Sequence, residues 1–174
     1  MLGLSSLLLA WLSQPCTITV SGLPVPARTH HHLEVTGGEV RLDRGALEVK
    51  LAVDDVVVRL VGPRYTGGLR VRLTDCADGR VLSLQARPRP AAVTFENAPT
   101  DLVLRCIDAC PANLSRTWML ARELPPLPVE HGLRVEVELR APGHVRSRRV
   151  LDLLPGPNAI PLRLRRIDGS QSLR

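Results

Sequence analysis

The fold of this chain is decided by a strand pattern that its sequence contains twice. Residues 18–24 read ITVSGLP and residues 93–99 read VTFENAP, and later in each half residues 57–63 read VVRLVGP and residues 136–142 read EVELRAP. The distance between the copies grows slightly from the first pair to the second, as it does when a loop lengthens in one of two duplicated units. The sequence therefore predicts two consecutive units related by internal duplication.

Alternating runs within each half indicate β-strands. In LRVRLTD at residues 69–75 and VLSLQAR at residues 81–87, apolar side chains recur at every second position, which is the period of a half-buried strand. Short strands at this spacing predict an all-β protein of two tandem small antiparallel β-sandwiches, at residues 16–90 and 91–168. The strands are expected near residues 16–21, 31–35, 38–42, 46–53, 55–61, 68–74, 79–87, 91–97, 101–107, 117–120, 133–140, 147–153 and 159–166.

The composition also favours short strands over long helices. Of the 174 residues, 44% are hydrophobic and 23% are charged, and the 15 prolines and 13 glycines leave little uninterrupted room for helices. The aromatic residues are Trp11, Tyr65, Phe95 and Trp118, so the predicted cores are aliphatic. A unit of this size buries only about 60% of its unfolded surface, and each unit is therefore expected to gain from cross-links.

One segment of the second unit has a family resemblance. Residues 137–164, VELRAPGHVRSRRVLDLLPGPNAIPLRL, resemble the latter half of a PEGA-type domain, a small β-sandwich module of bacterial envelope-associated proteins. In that family a strand ends in a small residue, Gly and an aromatic, which corresponds to APGH at 141–144, with His144 where Tyr or Phe is usual. A turn with Gly and Asn follows, here PGPN at 155–158. The resemblance implies a non-catalytic module, because PEGA-type domains contribute no known catalytic residues.

Four cysteines bear on the cellular compartment. They allow three pairings, and the sequence favours Cys106 with Cys110, which closes a small loop, and Cys16 with Cys76, which ties the first strand to a later hairpin. Such disulfides form in oxidising compartments such as the periplasm. Two alternatives are reduced cysteines in a cytosolic protein and a zinc site, although zinc patterns usually place two residues between the cysteines.

The first residues indicate export. MLGLSSLLLAWLSQ contains an apolar stretch that is too short to cross a bilayer and has the length of a signal-peptide core, although it lacks a basic start. Residues 1–15 are therefore predicted to be a signal peptide, and residues 169–174 a flexible tail. No transmembrane span is predicted elsewhere. The expected location is the periplasm or the exterior, with the cytoplasm as the alternative.

Candidate residues for metal binding or catalysis are few. His30 and His32 would point to the same face of a strand, where they could hold zinc. A third ligand would have to come from His131 or His144 in the second unit. The sequence favours the simpler interpretation that His30, His31 and His32 are surface loop histidines without a ligand role, so no metal site is predicted. Hydrolase, zinc-protease, phosphate-loop and dinucleotide motifs are absent from the sequence, so it predicts neither an enzyme nor a cofactor.

Positive charge is concentrated near the end of the chain. Residues 140–174 contain eight arginines against Asp152 and Asp168, and the net charge of +6 lies in this region. If the last two strands pair, Arg148 with Arg163 or Arg165 would form a basic stripe suited to anionic glycans, lipid head groups or phosphates. The candidate anion-binding residues are Arg146, Arg148, Arg149, Arg163, Arg165 and Arg166.

Two interpretations of function follow from these features. The first is a non-enzymatic structural or protein-interaction module of the cell envelope, whose partner would be another envelope protein. The alternative is an electrostatic binder of an anionic glycan, lipid or other polyanion through the arginine-rich last strands. Nucleic acid is not an expected partner, because its readers usually add aromatic platforms and none are expected beside these arginines. The arginines could also be ordinary solvated residues of an exposed sheet, and the oligomeric state stays open.

Overall fold

A computed structural model describes residues 14–35, 38–41, 46–51, 55–72, 74–76 and 80–167. Within them the protein is mostly β, as predicted, with short 3₁₀ helices that include Val25–His30 and Ala121–Glu123. The chain divides into two compact units, residues 1–87 and 88–174, and the sequence placed the boundary after residue 90.

Two predictions concern the ends of the chain. Residues 1–13 of the predicted signal peptide and the predicted tail at 169–174 lie outside the described residues. The last two residues of the predicted signal peptide, Gln14 and Pro15, belong to the first strand. Among the described residues, none of the helices has the length and hydrophobicity that a membrane crossing requires.

Unit 1 forms two sheets around one apolar core. Its strands are β1 (Gln14–Ser21), β2 (His32–Val35), β3 (Gly38–Arg41), β4 (Ala46–Leu51), β5 (Val56–Val61), β6 (Tyr65–Val71) and β7 (Val81–Gln85), with β8 (Arg87–Pro88) at the unit boundary. The sheet orders are β4-β1-β7 and β3-β2-β5-β6-β8. Both sheets contribute to the core, for example Ile18 from the first and Leu33 from the second. Along β5, Val56, Val58 and Leu60 are buried and alternate with exposed residues, so the predicted strand period matches the core.

Unit 2 has the same kind of construction. Its strands are β9 (Ala92–Glu96), β10 (Val103–Asp108), β11 (Met119–Leu120), β12 (Leu133–Arg140), β13 (Ser147–Leu153) and β14 (Pro157–Pro161). They form a four-stranded sheet in the order β11-β10-β12-β13 and a two-stranded sheet of β14 and β9. Leu104, Val137 and Leu151 from the larger sheet are buried in the core, and Phe95 and Ile160 from the smaller sheet pack against it.

Each unit contains a strand that pairs antiparallel with one neighbour on either side. In unit 1, β5 pairs antiparallel with β2 and β6, and in unit 2, β12 pairs antiparallel with β10 and β13. Most pairs are therefore antiparallel, as predicted. The exceptions are β1 with β7 and β9 with β14, which run parallel. Parallel neighbours need a long crossover connection, which the rest of each unit supplies, and the period of a single strand cannot reveal such a connection.

The last strand is shorter than predicted. The sequence indicated a strand over residues 159–166, but β14 ends at Pro161. The N–H of Leu162 still donates to the carbonyl of Glu96 over 3.2 Å, but the partner strand ends there because Asn97, with a φ of 58°, turns the chain away. The following segment pairs with a different turn, where the N–H of Val145 donates to the carbonyl of Arg165 over 2.8 Å.

Candidate functional site

The four-stranded sheet of unit 2 carries charged side chains on the face opposite the core. Arg105 of β10 lies directly beside Glu138 of β12, which in turn lies beside Arg148 of β13. Their neighbours along the chain, such as Leu104 and Leu139, are fully buried, because successive side chains of a strand point to opposite faces. We call the surface formed by Arg105, Trp118, Glu138, Arg140, Arg146 and Arg148 the Trp118 face.

Glu138 is the centre of this surface. Its exposed fraction is only 3%, and its carboxylate accepts hydrogen bonds from Arg105, with the Nε to Oε2 distance at 2.7 Å. Arg146 approaches the other oxygen, with 3.5 Å between Nη1 and Oε1. Burial works to raise the pKa of Glu138, but the hydrogen bond from Arg105 and the charges of Arg105, Arg146 and Arg148 outweigh it and hold the pKa below its usual 4.5. The carboxylate therefore stays ionised and keeps both guanidinium groups in place.

Trp118 lies within the same cluster. The guanidinium carbon of Arg105 is 5.0 Å from the centroid of the Trp118 ring, and that of Arg146 is 6.0 Å away. Both distances are in the range of cation–π contacts. The expectation that no aromatic side chain accompanies the arginines is therefore wrong for this face. The reason is that Trp118 comes from a loop and short strand far from the arginine-rich end of the sequence, and strand pairing brings them together.

A pocket of about 480 Å³ opens beside Trp118. It is lined by Asp101, Val103, Trp118, Arg140 and Pro142. Val103 lies in register with Arg140 on the neighbouring strand and precedes Arg105 by two residues, so it is on the same face of the sheet. The pocket thus combines apolar surface, one carboxylate and one guanidinium group, a set suited to recognition of a small polar ligand.

The Trp118 face carries an excess of positive charge. Arg105 and Arg146 share the single carboxylate of Glu138. Over the described ranges of the chain, no carboxylate lies within ion-pair distance of Arg140 or Arg148. These two guanidinium groups therefore remain available for an anionic ligand.

The predicted basic stripe does not form through paired strands. It required the strand with Arg148 to pair with the strand carrying Arg163 or Arg165, but β13 pairs with β12 and β14 pairs with β9. Arg163 and Arg165 also lie beyond the end of β14 at Pro161. The local alternation predicted the strands themselves, but it contains no information on which strands become neighbours.

The other candidate arginines are distributed over the unit. Arg146 and Arg148 belong to the Trp118 face. Arg149 follows Arg148 and points to the opposite side of β13, where its guanidinium donates to the carbonyl of Arg163 over 3.3 Å. Arg166 lies opposite His144 in an isolated bridge.

The histidine run does not form the candidate metal pair. His30 ends the 3₁₀ helix Val25–His30 and is exposed, whereas His32 begins β2, so the two are not on one strand. His32 instead lies near Glu34, with 3.7 Å between Nε2 and Oε1. In the described part of the chain, no group of three or more His, Cys, Asp or Glu side chains is placed to hold a metal ion.

His31 is a core residue and not a surface loop histidine. Its exposed fraction is 4%, and both ring nitrogens have backbone partners. Nδ1 donates to the carbonyl of Ala27 over 2.5 Å, and Nε2 accepts the N–H of Tyr65 over 3.0 Å. This arrangement requires the neutral ring with the proton on Nδ1, and it ties the 3₁₀ helix to the start of β6.

The cysteines pair in the way that the sequence favoured. The Cα atoms of Cys16 and Cys76 are 5.1 Å apart, and those of Cys106 and Cys110 are 5.8 Å apart. Both distances are usual for disulfides. No cysteine is left free, and such pairs are typical of an oxidising, extracytoplasmic environment.

The candidates from the sequence did not include Arg105, Trp118, Glu138 and Arg140 of the Trp118 face, or Asp101, Val103 and Pro142 of the pocket. The sequence held one indication for Trp118. It lies two residues before Leu120 in the predicted strand at 117–120, so the two side chains should share a face of that strand. Nothing in the local sequence links that strand to Arg140 or Arg148, which are brought close by register alone.

Comparisons of the chain with protein-family models, with curated proteins and with solved structures return no match.

Proposed function

We propose that the protein is a non-enzymatic module of the bacterial cell envelope, built from two small β-sandwiches that arose by duplication. The observation that carries this proposal is the pairing of all four cysteines, one pair in each unit. The duplication is supported by what the units share, namely three antiparallel strands in a row and one parallel pair. Cores drawn from two sheets in each unit support the sandwich architecture. The segment 137–164, which resembles a PEGA-type domain, contains the end of β12 and the whole of β13 and β14.

The compartment is tested by the state of the thiols in the cell. We expect the protein from a periplasmic or secreted fraction to resist alkylation without reductant and to lack Met1, since disulfides persist outside the cytoplasm. Mass spectrometry of alkylated fractions measures both properties. Protein found only in the cytosol, with four alkylated cysteines and an intact Met1, would contradict an envelope location.

A second function is favoured by the electrostatics of the Trp118 face. Arg140 and Arg148 face solvent without an acidic partner among the described residues, beside a pocket that contains Arg140. Groups of this kind attract anionic polymers and bind their carboxylates or phosphates through charge-assisted hydrogen bonds. We infer that the envelope module binds a polyanion through this face.

The double variant Arg140→Gln/Arg148→Gln tests polyanion binding. We expect it to bind polygalacturonate or polyphosphate at least tenfold more weakly at low salt, since each lost hydrogen bond to a charged group contributes about 1.5–3 kcal/mol and about 1.4 kcal/mol corresponds to a tenfold change in affinity. Its affinity should also depend less on salt than that of the unmodified protein. Fluorescence anisotropy of a labelled polymer at low and physiological salt measures both effects.

Arg134→Gln is the matched control for this experiment. Arg134 lies on β12, on the same face as Arg140. Unlike Arg140, it has an acidic neighbour at ion-pair distance among the described residues, with 3.7 Å between its Nε and Oδ1 of Asp152. Removing it should leave polyanion binding nearly unchanged, because its charge is already balanced. Equal binding by the double variant and the unmodified protein would reject the Trp118 face as the anion site.

A further inference from the structure

We propose that the pocket beside Trp118 binds an acidic sugar residue of an anionic polysaccharide. This inference rests on the anion-binding function proposed above and names its ligand class. It depends on three features. The pocket has an apolar lining that includes the Trp118 ring, its lining also contains one carboxylate and one guanidinium group, and neighbouring side chains hold the Trp118 ring in position.

The apolar part of the pocket comes from Trp118, Val103 and Pro142. An inorganic phosphate chain has no apolar surface and gains nothing from such a wall. A pyranose ring has an apolar face of C–H groups, and an aromatic ring supplies a large, rigid surface for it. A volume of about 480 Å³ also falls within the range of small-ligand sites.

The polar part of the pocket contains groups of opposite charge. Arg140 can hold the carboxylate of a ligand through a charge-assisted hydrogen bond. Asp101 offers only acceptors when ionised, so it needs a ligand that donates protons, such as a sugar hydroxyl. A phosphate chain would instead be repelled by Asp101, and a neutral sugar would leave Arg140 without a partner. An acidic sugar satisfies both side chains at once.

The Trp118 ring is held in position before any ligand arrives. Arg105 and Arg146 lie over the ring, and both guanidinium groups are held by the buried carboxylate of Glu138. A side chain ordered in this way loses little conformational entropy on binding, which favours affinity. Glu138, Arg105 and Arg146 therefore position the Trp118 ring. The ligand itself would contact Arg140 and Asp101.

The cysteine pairs favour a polysaccharide over a nucleic acid. Single-stranded nucleic acids also stack bases on aromatic rings within basic grooves. Paired cysteines are typical of extracytoplasmic proteins, and anionic polysaccharides are abundant in that environment. A nucleic acid is therefore an alternative outcome of the test.

The test uses the full chain with Trp11→Phe, which leaves Trp118 as its single tryptophan. We expect polygalacturonate to change the emission of Trp118 on binding. Polyphosphate should bind more weakly and leave the emission unchanged, and neutral galactan and oligo-dT should bind more weakly than polygalacturonate. In this background Trp118→Leu should weaken polygalacturonate binding about tenfold, with Trp118→Phe between the two.

Asp101→Asn provides the sharpest readout, because its effect should change sign with the ligand. Loss of the acceptor charge should weaken binding of polygalacturonate and strengthen binding of polyphosphate. This variant and the emission measurement decide the question even where Trp118→Leu fails to fold.

Equal binding of polyphosphate and polygalacturonate, with unchanged Trp118 emission, would overturn the acidic-sugar inference and leave the anion-binding function intact. Tighter binding of oligo-dT, or equal binding of galactan, would likewise overturn the inference. Absence of binding to every polyanion would overturn both this inference and the anion-binding function.

Discussion

Gly62→Ala is expected to destabilise unit 1 by about 3 kcal/mol and to lower its melting temperature by about 15 °C. A Cβ atom added at Gly62 would overlap Cγ and Cδ2 of His31 and lie 2.5 Å from its Nε2. The ring cannot move aside at low cost, because both of its nitrogens are bonded to backbone groups in a buried site. Relief of the clash would break the bond from Tyr65 and leave buried polar atoms unpaired.

Gly68→Ala is the matched control for this substitution. Gly68 lies in β6, the strand that follows the turn at Gly62, and a Cβ atom added at Gly68 would meet no other atom within 4 Å. The free energy of unfolding of the Gly68→Ala variant should differ from that of the unmodified protein by less than about 1 kcal/mol, with a small gain from the reduced entropy of the unfolded chain. Differential scanning calorimetry compares the two variants. A Gly62→Ala variant with the same melting temperature as the unmodified protein would show that His31 is not held as described.

Removal of the Cys16–Cys76 pair is expected to cost about 4 kcal/mol, about twice the cost of removing Cys106–Cys110. The first pair closes a loop with a sequence separation of 60, and the second a loop with a separation of 4. A longer loop constrains the unfolded chain more strongly, and its loss therefore favours unfolding more. Alanine is the suitable replacement, because Cys16 and Cys76 are buried and a serine hydroxyl would lack a partner there.

Urea unfolding of the two double alanine variants measures this difference. Reductant breaks both pairs, so it should destabilise the unmodified protein by about 6 kcal/mol and the Cys16→Ala/Cys76→Ala variant by only about 2 kcal/mol. Equal stabilities of the two double variants would contradict the loop-length explanation. Insensitivity of the unmodified protein to reductant would contradict the presence of the disulfides in solution.

The strands of unit 2 show which strand boundaries the sequence predicts correctly and which it does not. The predicted ranges 133–140 and 147–153 coincide with β12 and β13. Alternation is a local property, so a window of a few residues is enough to detect it. The same reasoning predicted too late an end for the last strand, because that end depends on where the partner strand turns at Asn97.

The candidate site was predictable only in part. The sequence identified Arg146 and Arg148 as candidate anion ligands, but it could not connect them with Trp118 or with Asp101. It also treated His31 as one of three equivalent surface histidines, although burial distinguishes it from His30. Burial of a single side chain depends on segments distant in the chain, here the start of β6 at Tyr65, and no local pattern encodes it.

By itself, the sequence determined an all-β protein with strands at defined positions, because strand period and turn residues act over a few neighbouring residues. Only the tertiary structure decided which arginines lie together. Strand order and register place Arg105, Glu138 and Arg148 side by side and bring Trp118 to them. Register follows from how whole sheets pack on a shared core, and a shift of one residue would turn every one of these side chains to the opposite face.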